Sequence, residues 1–315
     1  MPSSILASGM SDMNSQIKPP RRPSLITVAL VALWRDKLAA VSALVLLVVL
    51  ACVVFGPMLL DDEARAMNLK ARNMAPFSDE GGWLYVLGAD ALGRSLLARI
   101  IVASQNTIII ATSAVLVSAL IGGVLGLIAG YKGGLTGTIL LRLADSIMSF
   151  PSMLLAVIVL FALSPGVTSV ILVLAVSRIP IFLRTVRAEV LEIKERLFVT
   201  AARAMGARTD RILLRHVTPM VLPTILTLSA LEVALVMLVE AGLSFLGIGI
   251  QSPEITWGLM VADGRNYLGS AWWLAFWPGL AIMLVTMTLN LLSNWLRILT
   301  DPVERWRLVS KGAVQ

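Results

Sequence analysis

Long apolar runs separated by shorter polar stretches set the plan of this 315-residue chain. Runs near 38 to 60, 106 to 130, 139 to 163, 167 to 187, 219 to 247 and 273 to 297 each reach about the 20 residues that a helix needs to cross roughly 30 Å of hydrocarbon. The pattern predicts an all-α polytopic membrane protein of about six transmembrane helices. Composition agrees: 57% hydrophobic residues, 14% charged and a mean hydropathy of +0.87 are too apolar for an ordinary soluble domain. An even number of spans puts both termini on one side.

The basic residues say which side. With both termini inside, 19 of the 26 Lys and Arg residues fall in inside segments and 6 in the two outside loops, leaving Arg178 within a span. The termini, and the polar stretch from Arg184 to Arg215, are therefore predicted to be cytoplasmic. The net charge of +7 follows from this bias and suits contact with the anionic lipid bilayer, so no nucleic acid partner is needed to explain it.

Along the chain, residues 1–23 read as a disordered cytoplasmic tail and residues 24–60 as an interfacial elbow helix leading into the first span. Residues 61–104 read as an extracytoplasmic loop, 105–302 as a core of five spans, and 303–315 as a second cytoplasmic tail. No cleavable signal is evident, and the first span is expected to act as its own insertion signal. The single cysteine, Cys52, lies in that span and reads as a packing residue. Gly122, Gly126 and Gly130, four apart, predict a close helix crossing. Pro151 predicts a kink or interruption in the third span, and Arg142 and Asp145 are a candidate pair near that span's inner end.

The polar stretch between the fourth and fifth spans carries the strongest signal. Thr200, Ala201, Ala202 and Gly206 are followed by Ile212, Arg215, His216 and Pro219, which together outline a short helix near 198–215 at the membrane surface. Small side chains there let another surface approach the backbone, and Pro219 is expected to limit the helix upstream of it. The local pattern fits a docking element, with a connecting surface helix as the alternative.

The spacing Ala-Ala-x-x-x-Gly, then Ile-x-x-x-His and Pro-x-x-x-Pro, resembles the EAA motif in permease subunits of bacterial ABC importers. Leu87-Gly88-Ala89-Asp90-Ala91-Leu92-Gly93-Arg94-Ser95 and Glu240-Ala241-Gly242-Leu243-Ser244-Phe245-Leu246-Gly247-Ile248-Gly249 resemble signatures of the dipeptide, oligopeptide and nickel branch. Trp257-Gly258, Pro278-Gly279, Asn290-Leu291-Leu292 and Asp301-Pro302 extend the resemblance, in order, over most of residues 38–302. The layout is similar to the second, C-type permease of the pair.

That resemblance implies a coupling helix fitting a groove on an ATPase, and a subunit in the bacterial inner membrane without an ATPase site of its own. It implies as partners a second homologous permease, two ABC ATPases that use ATP and Mg, and an extracytoplasmic solute-binding protein, with no cofactor on this chain. The transported solute is expected to be a peptide, with nickel or another small solute as the alternative. The sequence departs from the family pattern at Thr200, where a glutamate is usual, at Ser95 in place of aspartate, and at Ser293-Asn294 in place of Gly-Asp.

Arg178, Glu232 and Glu240 fall at membrane depth, where charge is costly unless paired or facing water. They are candidates for a translocation path or gate, with a structural Arg178–Glu232 pair as the alternative. Asp90 and Arg94, four apart, could bridge on one helical turn, with a substrate contact as the alternative. His216, the only histidine, reads as a support for the turn after the docking helix rather than a metal ligand. An ion-driven secondary transporter fits the polar stretch poorly, and an intramembrane enzyme lacks a paired nucleophile and base.

Overall fold

The computed structural model describes residues 33–34, 36–78, 82–163 and 166–300. The two terminal tails and most of the proposed elbow lie outside the described residues. Helix α1 spans Lys37–Arg65, started by Asp36, whose carboxylate accepts the backbone N–H groups of Leu38 and Ala39. Only Ala39, Ser42, Gly56 and Ala64 of α1 are buried, so this helix meets the rest of the protein along a narrow stripe and turns the remainder outward. At Gly56 a β-carbon would stand 2.7 Å from the Ile101 side chain, which explains a glycine in an otherwise bulky helix.

Helix α2, Leu96–Lys132, is the central element. Its 37 residues extend about 55 Å, well beyond the hydrocarbon. It begins about ten residues before the predicted second span, because Ser95 caps it: the hydroxyl accepts the Ala98 N–H at 3.2 Å and donates to the Leu84 carbonyl at 2.6 Å. Serine is among the residues best suited to this capping position.

Helices α3 (Gly134–Met148) and α4 (Ser152–Ala162) meet at 86°. Of the kink or interruption expected at Pro151 the structure gives the interruption, because Pro151 has no N–H to continue α3 and its ring excludes the preceding turn. Helix α5, Val167–Ile193, packs parallel along α2, residue numbers rising together on the two helices. The glycine stripe sets their approach. A β-carbon on Gly122 would lie 2.6 Å from the Ile179 carbonyl, one on Gly126 2.8 Å from that of Leu183, and one on Gly130 2.7 Å from Val190 Cβ. The stripe therefore serves packing within the chain.

After the short helices α6 (Leu197–Ala204) and α7 (Thr209–Ile212) comes a π turn, Leu213–Val217, which runs directly into α8, Thr218–Phe245. Helix α9, Trp257–Gly264, follows a reversing loop, and α10 spans Trp273–Thr300. Among the described residues five helices are long and apolar enough to cross a membrane, or six spans if the bent α3–α4 pair counts as one. Among the described residues there is no strand, only an isolated bridge between Ala89 and Ser95. The main core joins Ile110 and Ala114 of α2, Leu174 and Phe182 of α5, Met237 of α8, Trp257 of α9 and Trp273 of α10. A second core lies under the polar stretch.

Candidate functional site

That second core mounts α6 and α7. Val199 and Ala202 of α6 and Ile212 of α7 pack against Val186, Val190 and Ile193 of α5, Val217 of the π turn and Val221 at the start of α8. Positions 199 and 202, three apart, form the inward face. The outward face is apolar at Leu197, Met205 and Leu214, which are 88%, 81% and 71% exposed, with Thr200, Ala201, Arg203 and Gly206 between them also exposed. Single exposed apolar side chains are ordinary; what marks these is their place, Leu197 and Met205 at the two ends of the short α6 and Leu214 in the π turn after α7. Sequence reading passed over these three, though their position beside the Ala-Ala pair is the signal that could have found them.

The structure separates the predicted docking residues. Ala201 faces out, whereas Ala202 is 5% exposed and faces the core, because the helix period turns adjacent positions 100° apart. Gly206 has φ of +80°, and a β-carbon there would meet nothing within 4 Å. Its role is conformational: Ala207 N–H reaches the Ala202 carbonyl at 3.1 Å and Gly206 N–H the Arg203 carbonyl at 3.0 Å, the paired bonds that close a helix through a left-handed glycine.

Pro219 does not limit the helix. The chain widens into the π turn, where Thr218 N–H and its hydroxyl both reach the Leu213 carbonyl five residues back. The wider turn accommodates the proline ring, and α7 flows through to α8. His216 is half-buried within the turn, its ring centroid 6.5 Å from that of Phe198, and Arg215 is exposed. Thr200 is exposed, with its hydroxyl 3.5 Å from the Arg196 carbonyl.

At membrane depth Arg178 of α5 and Glu232 of α8 are brought together, Nη1 to Oε2 at 3.5 Å, with both side chains almost shielded from solvent. Glu240, 1% exposed, accepts hydrogen bonds on Oε1 from Ser244 at 2.8 Å and Thr256 at 3.0 Å. Those hydroxyls accept the N–H groups of Ile250 and Leu259, so one carboxylate closes both ends of the loop between α8 and α9. Gly258 permits the crossing: a β-carbon there would stand 2.6 Å from Ala241 Cα. Trp257 fixes α9 to α2 through N–H bonds to Thr107 Oγ1 and the Ile100 carbonyl.

Asp90 and Arg94 do bridge, at 2.7 Å, but in a tight turn ahead of α2 rather than on a helix. Asp90 Oδ1 also accepts the N–H groups of Leu92 and Arg94, at 2.9 Å each. Gly93, with φ of +74°, passes so close to Asn68 that a β-carbon would overlap its carbonyl at 1.7 Å. Asp145 pairs with Arg184 of α5 in place of Arg142. Among the described residues no three His, Cys, Asp or Glu side chains come together as metal ligands.

A helical membrane bundle with a small amphipathic helix held at one end, and a polar loop tied down at the other, defines a membrane-spanning transport component. Residues 122–305 match the family model described as the binding-protein-dependent transport system inner membrane component, and the chain belongs to that family. It is 32% identical over 294 residues to the probable D,D-dipeptide transport system permease protein DdpC of Escherichia coli, covering 93% of this chain and 97% of that one. It is 33% identical to the di/tripeptide transport system permease protein DppC of Pseudomonas aeruginosa, over 90% of this chain and 96% of the relative. For the oligopeptide transport system permease protein OppC of Bacillus subtilis the identity is 31%, over 87% and 91%.

Proposed function

We propose that this chain is one of two permease subunits of an ATP-driven importer of peptides or closely related small solutes in a bacterial inner membrane, with both termini cytoplasmic. The observation that carries the reading is the mounting of α6: Val199 and Ala202 anchor it on the ends of α5 and α8, while Leu197, Ala201 and Met205 are turned outward for a partner. The partner there is a cytoplasmic ATPase, and Gly206 and the π turn let the segment follow it. A solute-binding protein delivers cargo to the opposite face. A peptide cargo is supported by the relatives, which are named for D,D-dipeptide, di/tripeptide and oligopeptide transport. Arg178 and Glu232 serve as a lock between α5 and α8, which alters as the spans rock between inward and outward openings.

The test is mild-detergent purification of the tagged chain from its native membranes, with uptake of labelled dipeptide measured in parallel. The expected result is co-recovery of a second permease and P-loop ATPases, and loss of both ATPase and uptake in Ala201→Glu at unchanged membrane level. Recovery of the chain alone after cross-linking would refute the assembly. Unaltered uptake by that variant would refute the docking role of α6.

A further inference from the structure

A cleft of about 320 Å³ opens where the turn before α2 meets the end of α9 and the start of α10, at the opposite end of α2 from the docking helix. Arg99, in the first turns of α2, lines the cleft although the residue is only 4% exposed. Its Nε lies 3.6 Å from Asp90 Oδ2, but that oxygen already takes Arg94 Nε at 2.7 Å and the other takes two backbone N–H groups. Arg99 Nη1 is left buried with no hydrogen-bond partner. Asp263, near the end of α9, lines the same cleft and makes neither hydrogen bond nor ion pair among the described residues. A buried donor without an acceptor is costly, and such a group in a cleft marks a position for a ligand.

The cleft thus holds a cationic Nη1 donor without a hydrogen-bond partner and a carboxylate that feels the Arg99 charge without a hydrogen bond to it, with Leu96, Met260 and Leu274 supplying apolar surface beside them. We propose that it binds the zwitterionic ends of a short peptide or amino acid, the carboxylate on Arg99 and the ammonium on Asp263. Its volume lies at the lower end of the roughly 300–1,000 Å³ usual for small-ligand pockets, which favours a dipeptide over a longer chain. The inference rests on the peptide-import reading and adds to it a receiving site on the permease itself.

The test is ligand-observed saturation-transfer NMR on the full-length chain in lipid nanodiscs, with alanyl-alanine, its N-acetyl form and its C-terminal amide. The free dipeptide should bind, and each blocked form should bind at least about tenfold more weakly, which is about 1.4 kcal/mol per lost charge contact. Asp263→Asn should abolish the discrimination against the N-acetyl form, and Arg99→Gln that against the amide. If Arg99→Gln fails to fold, Asp263→Asn, at an exposed position, still decides the point. Equal binding of all three ligands, or binding of none, overturns the site. Uptake of the same dipeptide by the assembled importer separates the two claims: uptake without binding removes the site and leaves peptide import standing, whereas discriminating binding without uptake keeps the site and removes peptide import.

Discussion

Replacing Glu240 by alanine should be among the most damaging single changes in the bundle, and replacing it by glutamine among the mildest. The side chain is 1% exposed, and Oε1 is the acceptor for both Ser244 and Thr256. Alanine leaves two buried hydroxyl donors without an acceptor, each costing about 1–3 kcal/mol. It also empties a packed site against Gly258, which adds about 1 kcal/mol or more. Taking the lower half of each range, because a hydroxyl can rotate, gives about 3–5 kcal/mol. Glutamine keeps an acceptor oxygen and loses only the charge-assisted part, about 1 kcal/mol. Thermal unfolding followed by tryptophan fluorescence suits the question, since Trp257 is 3% exposed and adjoins the hub. At about 2–4 °C per kcal/mol for a chain of a few hundred residues, the alanine variant should melt roughly 10 °C lower and the glutamine variant only a few degrees lower. An alanine melt within about 2 °C of the parent would refute the hub. A glutamine variant as unstable as the alanine one would show that charge, not the acceptor geometry, holds the loop.

Other consequences are more local. Gly126→Leu should cost about 1–3 kcal/mol or prevent folding, because its β-carbon alone would sit 2.8 Å from the Leu183 carbonyl; yield of folded protein by size-exclusion chromatography reads this out. Arg178→Ala should destabilise by about 3–5 kcal/mol through the charge it strands on Glu232, and the Arg178→Ala/Glu232→Ala double variant should recover much of the loss. A double-mutant cycle showing simple additivity would dissolve the pair. Asp263 carries a carboxyl raised above its usual value of 3.8, first by burial and against the pull of Arg99 and Arg94. A raised folded-state value means that stability present below 3.8 is lost as pH climbs through the folded-state value, so Asp263→Asn should melt higher than the parent at pH 7 and converge with it towards pH 4. A parent whose melting temperature is flat relative to the variant over that range would contradict the assignment.

Much of this architecture is legible in the residue pattern because the bilayer permits so few solutions. Length and apolarity placed the spans, and the four-residue glycine spacing predicted a close crossing that the structure gives to α2 and α5. What was not legible depends on neighbours distant in sequence. Asp145 could have paired with Arg142 on its own helix, and the fold instead offers Arg184, 39 residues on. The direction in which Ala202 faces depends on which side of α6 meets α5, which composition alone does not encode. Pro219 reads as a stop because the sequence cannot announce a π turn that makes room for its ring. Arg99 and Asp263 draw no notice as isolated charges 164 positions apart, and only folding puts them in one cleft.

The same contrasts bear on how force would pass through the molecule. Between the docking helix and the cleft, α2 and α5 are locked by three glycines that leave no slack: adding even one carbon at any of them would overlap the facing helix. Regular helix is interrupted around α6 and α3 by the left-handed Gly206, the π turn and the 86° break at Pro151. A displacement applied to α6 would therefore not be absorbed along α2 and α5 but delivered through Val199 and Ala202 to the ends of α5 and α8 as bodies. Thr200 fits this arrangement. On the proposed docking reading, a carboxylate at position 200 would add only an exposed ion pair worth about 0–1 kcal/mol, whereas Leu197, Met205 and Leu214 offer apolar area for a partner to bury. At about 25 cal/mol per Å², burying only some 100 Å² of that surface is worth about 2.5 kcal/mol, more than the missing charge. On that proposed reading, grip at this site is a matter of shape and apolar contact, so a single glutamate at Ala201 is expected to break it although Thr200 carries no carboxylate.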